Sequence, residues 1–191
     1  MTLRVALLIA ILGLTTNRQA QAQMPAEIEN PAIDMEGHLR VAAEAAKHRQ
    51  SRRLTEDAFL SMMREEGTVV LDARSRDKYE ELHVAGAINL PFPDITVASL
   101  DRLLPDKNVR VLIYCNNNFV NAEKSFPSKI SRSSLNVSTY ITLYDYGYRN
   151  IYELGPLLDA RTTRIPFEGT AKASLADEPQ QTATPGQRTQ P

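Results

Sequence analysis

The stretch Val109–Cys115, Val-Arg-Val-Leu-Ile-Tyr-Cys, decides the reading of the fold. Its apolar residues follow one another with hardly a polar break. That is the pattern of a strand covered on both faces, as in a parallel sheet between helices. Outward from it lie three shorter runs of the same kind: Thr68–Leu71 after Gly67, Ala87–Leu90 stopped by Pro91 and Pro93, and Ile151–Leu154. Helical patterns separate them. Met35–Arg53 is rich in Ala, Glu, Lys and Arg, with a weak apolar stripe through Leu39, Val41, Ala42, Ala45 and Ala46. A second helix follows Thr55 as its N-cap, with Phe59, Leu60 and Met63 at helical spacing. Ile95–Leu104 ends at Pro105, and Val137–Tyr146 ends at Gly147, a left-handed stop. Strands alternating with helices predict an α/β domain whose central, mostly parallel sheet is flanked by helices, with Val109–Tyr114 as an inner strand. Sites in such sheets form at the carboxyl ends of strands, where Cys115 stands.

Composition bounds the function. The 191 residues are 42% hydrophobic and 24% charged with a formal net charge of -1, which is ordinary for one globular domain with tails. Neither nucleic acid nor an acidic membrane surface is an expected partner. His38 and His48 stand ten positions apart without accompanying ligands, so no metal and no cofactor is expected. The first 22 residues read as a cleaved secretory signal: Arg4, the apolar run Val5–Leu14, then Ala20-Gln21-Ala22. Ten apolar residues span about half a bilayer core, so a stable membrane anchor is not expected. The protein is then periplasmic or secreted. Residues 23–52 form a leader and helix, 53–158 the domain, and 159–191 a polar tail expected to be disordered. Cys115 is the only cysteine and has no internal disulfide partner. An exported lone thiol is either buried or useful, and its place at a strand end favours use.

Val70–Pro91, VLDARSRDKYEELHVAGAINLP, resembles the first signature of the rhodanese family: strand, Asp-x-Arg, a short helix with an aromatic, then His-x-x-Gly-Ala leading to Asn and Pro. Asp72, Arg74, Tyr79, His83, Gly86, Ala87 and Asn89 fall in register. Val111–Cys115 places Cys115 where the family carries its catalytic cysteine. Gly147–Leu154, GYRNIYEL, looks like its closing strand. The resemblance implies a rhodanese-like three-layer α/β domain. It implies a sulfurtransferase that holds sulfane sulfur as a Cys115 persulfide, with a small sulfur donor or acceptor as partner. Asp72, Arg74 and His83 become supporting residues, His83 as a hydrogen-bonder, with Asp77 able to pair with Arg74.

The chain departs from the family beside the cysteine. The loop reads Cys115-Asn116-Asn117-Asn118-Phe119, without the family's glycine and arginine. Asparagine tolerates positive φ, so Asn116, Asn117 and Asn118 can build a cradle of amides with extra side-chain donors; the other reading is a polar surface loop. Cys115 and Gly147 lie 32 positions apart, about twice the family's usual interval. The inserted segment 120–136 carries Lys124, Lys129 and Arg132, any of which can fold over the thiol or face solvent. A Cys-x5-Arg phosphatase is excluded, because Asn121 holds the arginine position. Two readings remain: the sulfurtransferase, and a non-catalytic module of the same fold that binds a partner protein or small anion.

Overall fold

The computed structural model describes residues 30–176. The expected signal segment 1–22, the leader up to residue 29 and the tail from 177 lie outside the described residues. Asn30–Ile33 is a turn closed by the Ile33 N–H on the Asn30 carbonyl at 3.0 Å, and the main folded unit starts at Asp34.

Asp34 caps helix α1 (Met35–Arg49) by accepting the Gly37 N–H at 2.7 Å. Lys47, His48 and Arg49 meet the negative end of the helix dipole. The helix stops four residues short of the expected Arg53, because Arg53 and Leu54 form strand β1 and pair with the sheet. Thr55 caps α2 (Glu56–Met62) as its spacing predicts, accepting the Ala58 N–H at 3.3 Å. Then come β2 (Thr68–Asp72), α3 (Arg76–Glu81), β3 (His83–Val84), β4 (Ile88–Asn89) and α4 (Val97–Leu103). The second half contains β5 (Arg110–Tyr114), β6 (Phe119–Val120), α5 (Leu135–Asp145), β7 (Ile151–Leu154), β8 (Leu158–Asp159) and β9 (Phe167–Glu168).

The main sheet has the order β1-β7-β5-β2-β4, and every neighbouring pair is parallel. β5 is its central strand, between β2 and β7. Successive residues of β5 feed opposite faces. Leu112 and Tyr114 pack with Phe59 and Leu60 of α2, whereas Val111 and Ile113 pack with Ala45 of α1, Leu100 of α4 and Leu143 of α5. Apolar cover on both sides is why the run has almost no polar break. The same alternation carries Cys115 toward the α1 and α5 side.

Two small ladders edge this core: β3 with β9, antiparallel, and β6 with β8, parallel. The first corrects the expected tail boundary at 159, since β9 pairs Val84 with Phe167, and Ile165 and Phe167 are buried. Two apolar residues separated by Pro166 leave no periodicity to read. Among the described residues no helix is long and apolar enough to cross a membrane.

Candidate functional site

At the carboxyl end of β5 the chain bends into a short 3-10 turn, Asn116–Asn118, and Cys115 opens it. The turn is held by Asn118. Its Oδ1 accepts the Cys115 N–H at 2.9 Å and the Asn136 amide at 3.0 Å, while its Nδ2 donates to the carbonyls of Leu154 at 2.8 Å and Pro156 at 3.1 Å. Every donor and both acceptor positions of that amide are used. Asn118 thus ties the ends of β5 and β7 to the first turn of α5. Asn117 exchanges hydrogen bonds with the Lys129 backbone, Nδ2 to the carbonyl at 2.6 Å and Oδ1 from the N–H at 3.3 Å. Asn116 is buried and its Oδ1 has no hydrogen-bond partner.

The expectation of a left-handed cradle is therefore corrected. Among the described non-glycine residues only Asn121 has positive φ, at 60°. The side-chain amides of Asn117 and Asn118 spend their donors on backbone carbonyls and hold the loop in shape. Phe119 is also relocated. It packs into the core against Phe126, Phe167 and Tyr114 at ring distances of 4.7, 5.0 and 6.1 Å.

The sulfur meets a hydroxyl. Cys115 Sγ lies 3.1 Å from Ser134 Oγ. Ser134 occupies the N-cap of α5, yet its side chain makes no capping bond to the helix. The hydroxyl turns to the thiol instead, and the first turn of an 11-residue helix stands directly behind it. Unpaired N–H groups there carry the positive end of the helix dipole. Both features set hydrogen-bonding and positive potential beside the sulfur.

Cys115 is 1% exposed but lines a cavity of about 250 Å³. Its wall includes Asn117, Ser134, Asn136, Glu153, Arg49 and Arg53. The basic residues of the insertion are elsewhere. Lys124 is exposed and lies 3.5 Å from Glu81, and Lys129 and Arg132 are exposed outside the cavity wall. The cations on the cavity wall are Arg49, at the end of α1, and Arg53, in β1. Both contact Glu153, which is 1% exposed: Arg49 donates through Nε at 2.8 Å and Nη2 at 2.5 Å, and Arg53 through Nε at 3.0 Å. Arg49, Arg53, Glu153 and Ser134 escape the pattern of the sequence. The visible signal is Glu153, a charge inside the otherwise apolar closing strand Ile-Tyr-Glu-Leu.

Asp72, Arg74 and His83 form a separate support that does not line the cavity. Arg74 pairs with Asp72 and not with Asp77: Nη2 reaches Asp72 Oδ2 at 2.6 Å, and Nε meets both carboxylate oxygens at 3.0 and 3.1 Å. Asp72 ends β2 only two positions away, so the arginine folds back over its own turn. Tyr114 donates to Asp72 Oδ2 at 2.5 Å and accepts the Val84 N–H at 3.0 Å. Burial, reinforced by the Asp72 charge, pushes the Tyr114 phenol well above its ordinary range. For Arg74, burial opposes the charge, but the Asp72 bond and charge outweigh it and hold the guanidinium above its usual value. Arg74 also donates to the carbonyls of Leu82 at 2.6 Å and Ser125 at 2.9 Å, the second inside the insertion. His83 stacks on Tyr79 at 3.8 Å, with Nδ1 2.7 Å from the Tyr79 carbonyl. Among the described residues no group of three or more His, Cys, Asp or Glu is placed to hold a metal.

Residues 55–154, just over half of the chain, match the model of the rhodanese-like domain. A 46-residue stretch is 39% identical to thiosulfate sulfurtransferase PspE of Escherichia coli K12, covering 24% of this chain and 43% of that protein. The chain thus spans less than half the length of this curated relative. Similar solved structures include the rhodanese-like domain of the Alr3790 protein from Anabaena, with a TM-score of 0.46, 19% identity and coverage of 73% of this chain and 88% of that one. Another is a rhodanese with anions from E. coli, with a TM-score of 0.35, 24% identity and coverage of 53% and 98%.

Proposed function

We propose that this chain, which belongs to the rhodanese-like domain family, is a sulfurtransferase that carries one sulfane sulfur as a persulfide on Cys115. The observation that carries the reading is the setting of the sulfur: a thiol on the cavity wall, 3.1 Å from a hydroxyl that has left its helix cap to reach it. The Cys115 thiolate attacks the outer sulfur of a small donor. A new S–S bond forms, the donor's S–S bond breaks, and the leaving group departs with the electron pair. The terminal persulfide sulfur then carries the negative charge that the Ser134 hydroxyl and the α5 N-terminus favour. An acceptor thiolate takes this sulfur in the second half, and Cys115 leaves as thiolate. A cavity of about 250 Å³ suits a small donor, since pockets for drug-sized ligands are larger.

Intact-mass analysis after incubation with thiosulfate or polysulfide tests the reading. One added sulfur is expected on the reduced protein and none on Cys115→Ser. If neither donor adds sulfur to the unaltered protein, the binding-module reading replaces this one. We place the protein in the periplasm or outside the cell, on the apolar run Val5–Leu14 followed by Ala20-Gln21-Ala22. Protein recovered from the cells that make it should start near Gln23; a retained Met1 on membrane-bound protein would remove that assignment.

A further inference from the structure

The cavity beside Cys115 contains more positive charge than its one carboxylate neutralises. Arg49 and Arg53 share Glu153, so two guanidinium groups face one carboxylate on a wall that also holds the thiol. Glu153 lies beside Ile113 in the sheet register, one strand over from Cys115. The arrangement leaves donors unspent. Of the five N–H groups of a guanidinium, Arg49 uses two on Glu153; Arg53 uses one there and one on the Gly155 carbonyl at 3.3 Å. Both side chains keep solvent access, at 32% and 53% exposure, whereas Glu153 is shut in. The carboxylate therefore fixes the direction of the two forks, and their outer edges stay open to a ligand. Planar N–H forks of this kind match the oxygens of sulfonate and sulfate groups.

We infer that Arg49 and Arg53 hold the oxyanion end of an anionic sulfur donor against Cys115, and that Glu153 between them limits the negative charge the pocket accepts. This rests on the sulfurtransferase reading and assigns the residues that hold and select its donor; the probes are thiosulfate, a dianion, and methanethiosulfonate, a monoanion. Both arginines precede the family-matched segment 55–154, so the selecting residues come from α1 and the strand after it. With thiosulfate, the thiolate bonds to the outer sulfur and sulfite leaves with the electron pair; with methanethiosulfonate, methanesulfinate leaves. Charge is conserved in both. The two arginines and Glu153 sum to one positive charge, which the Cys115 thiolate cancels. Thiosulfate then brings two negative charges to a site without net charge and methanethiosulfonate brings one, so the Glu153 carboxylate opposes the dianion more strongly than the monoanion.

The test follows single-sulfur addition to the reduced full chain against donor concentration. Arg49→Gln and Arg53→Gln should each raise the half-saturating thiosulfate concentration about ten- to a hundredfold, the loss of one charge-assisted hydrogen bond, with a smaller change in limiting rate. Arg49→Lys and Arg53→Lys should recover part of this. Alkylation of Cys115 by neutral iodoacetamide should fall far less than thiosulfate uptake in all four, because a neutral reagent makes no use of the guanidinium forks, whereas a merely structural role would slow both alike. Glu153→Gln should favour thiosulfate over methanethiosulfonate relative to the unaltered protein. In the unaltered protein, sulfate should slow iodoacetamide alkylation saturably, compared with chloride at equal ionic strength. Half-saturation indifferent to both glutamine variants overturns the inference. So does equal slowing of the neutral reagent, or an unchanged donor ratio in Glu153→Gln. If variants fail to fold, absence of sulfate protection in the unaltered protein overturns it alone. Failure of every donor to add sulfur instead removes the sulfurtransferase reading, and sulfate protection still reports on the arginine pair.

Discussion

Replacing Arg74 by methionine tests how the insertion is held over the thiol. Arg74 is 1% exposed and Asp72 fully buried. Methionine keeps most of the apolar stem but not the guanidinium, whose carbon sits 4.2 Å from the Phe126 ring centre. It removes the charge and the bonds to Asp72, Leu82 and Ser125. Asp72 is left with the Tyr114 hydroxyl and the N–H of residue 74. Breaking one side of a buried ion pair costs about 3–5 kcal/mol, because the remaining charge stays buried without its partner. The two abandoned carbonyls add to this, but they share the site and the costs do not sum. Against a total stability of roughly 5–15 kcal/mol, the variant should remain folded with little in reserve. At about 2–4 °C per kcal/mol for a domain of this size, the melting temperature should fall by roughly 6–20 °C. Urea unfolding gives the energy, and adding Asp72→Asn should return part of it by removing the orphaned charge. Because Ser125 belongs to the same inserted segment as Ser134, iodoacetamide should reach Cys115 faster before global unfolding begins. A loss below about 1 kcal/mol, or no recovery in the double variant, would refute the assignment of Arg74 as the anchor.

Phe119→Ala should cost about 3–5 kcal/mol in urea unfolding, as for a large aromatic removed from a packed core, while sulfur uptake per folded molecule stays at its starting rate; a mild stability change with lost uptake would return Phe119 to the loop. Ser134→Ala should slow both alkylation and sulfur uptake of Cys115 by about tenfold, the effect of one hydrogen bond to a charged group; equal rates would leave the hydroxyl without a role. Burial, then the charges of Arg52 and Arg149, hold the His48 imidazole below its ordinary value of 6.5. The unfolded chain therefore binds the proton first, so the stability that neutral His48 supplies is present above 6.5, is lost as pH falls through 6.5, and levels off below the folded-state value. The difference in denaturation midpoint between the unaltered protein and His48→Gln should shrink over that window, and a difference independent of pH would contradict it.

The fold was legible because its main signals are local. An apolar run covered on both faces, a threonine cap, a glycine stop at Gly147 and prolines at the ends of runs each act within a few residues. Cys115 was legible for the same reason, as the residue directly after the central strand. The rest of the site depends on long-range pairing. Arg49 and Glu153 stand 104 positions apart, and no periodicity in either segment announces the other. The asparagine run misleads because composition suggests backbone freedom, whereas Asn118 uses its amide as a clamp between β5, β7 and α5. Lys124, Lys129 and Arg132 look suitable by proximity in sequence, but the Arg74 bond to Ser125 and the Asn117 bonds to Lys129 fix the insertion in another direction. The C-terminal boundary fails similarly: Phe167 becomes core only by pairing across to Val84.

The position of α1 gives the site a dependence that the family-matched segment lacks. Arg49 is the last residue of that helix, and the helix rests on α5 through Ala45 and the contact of His48 Nδ1 with the Tyr140 hydroxyl at 2.7 Å. Burial raises the Tyr140 phenol to about 12, so across ordinary pH its proton stays in place and the contact changes only through the imidazole. α5 in turn presents Ser134 to the sulfur. One helix therefore supplies the hydroxyl, and the helix packed on it supplies a guanidinium to the same cavity wall. A change that shifts α1 along α5 moves the cation relative to the thiol without touching either group. The guanidinium and the hydroxyl on the cavity wall are thus both placed by one helix–helix contact, on the face of the sheet to which the alternation of β5 directs Cys115.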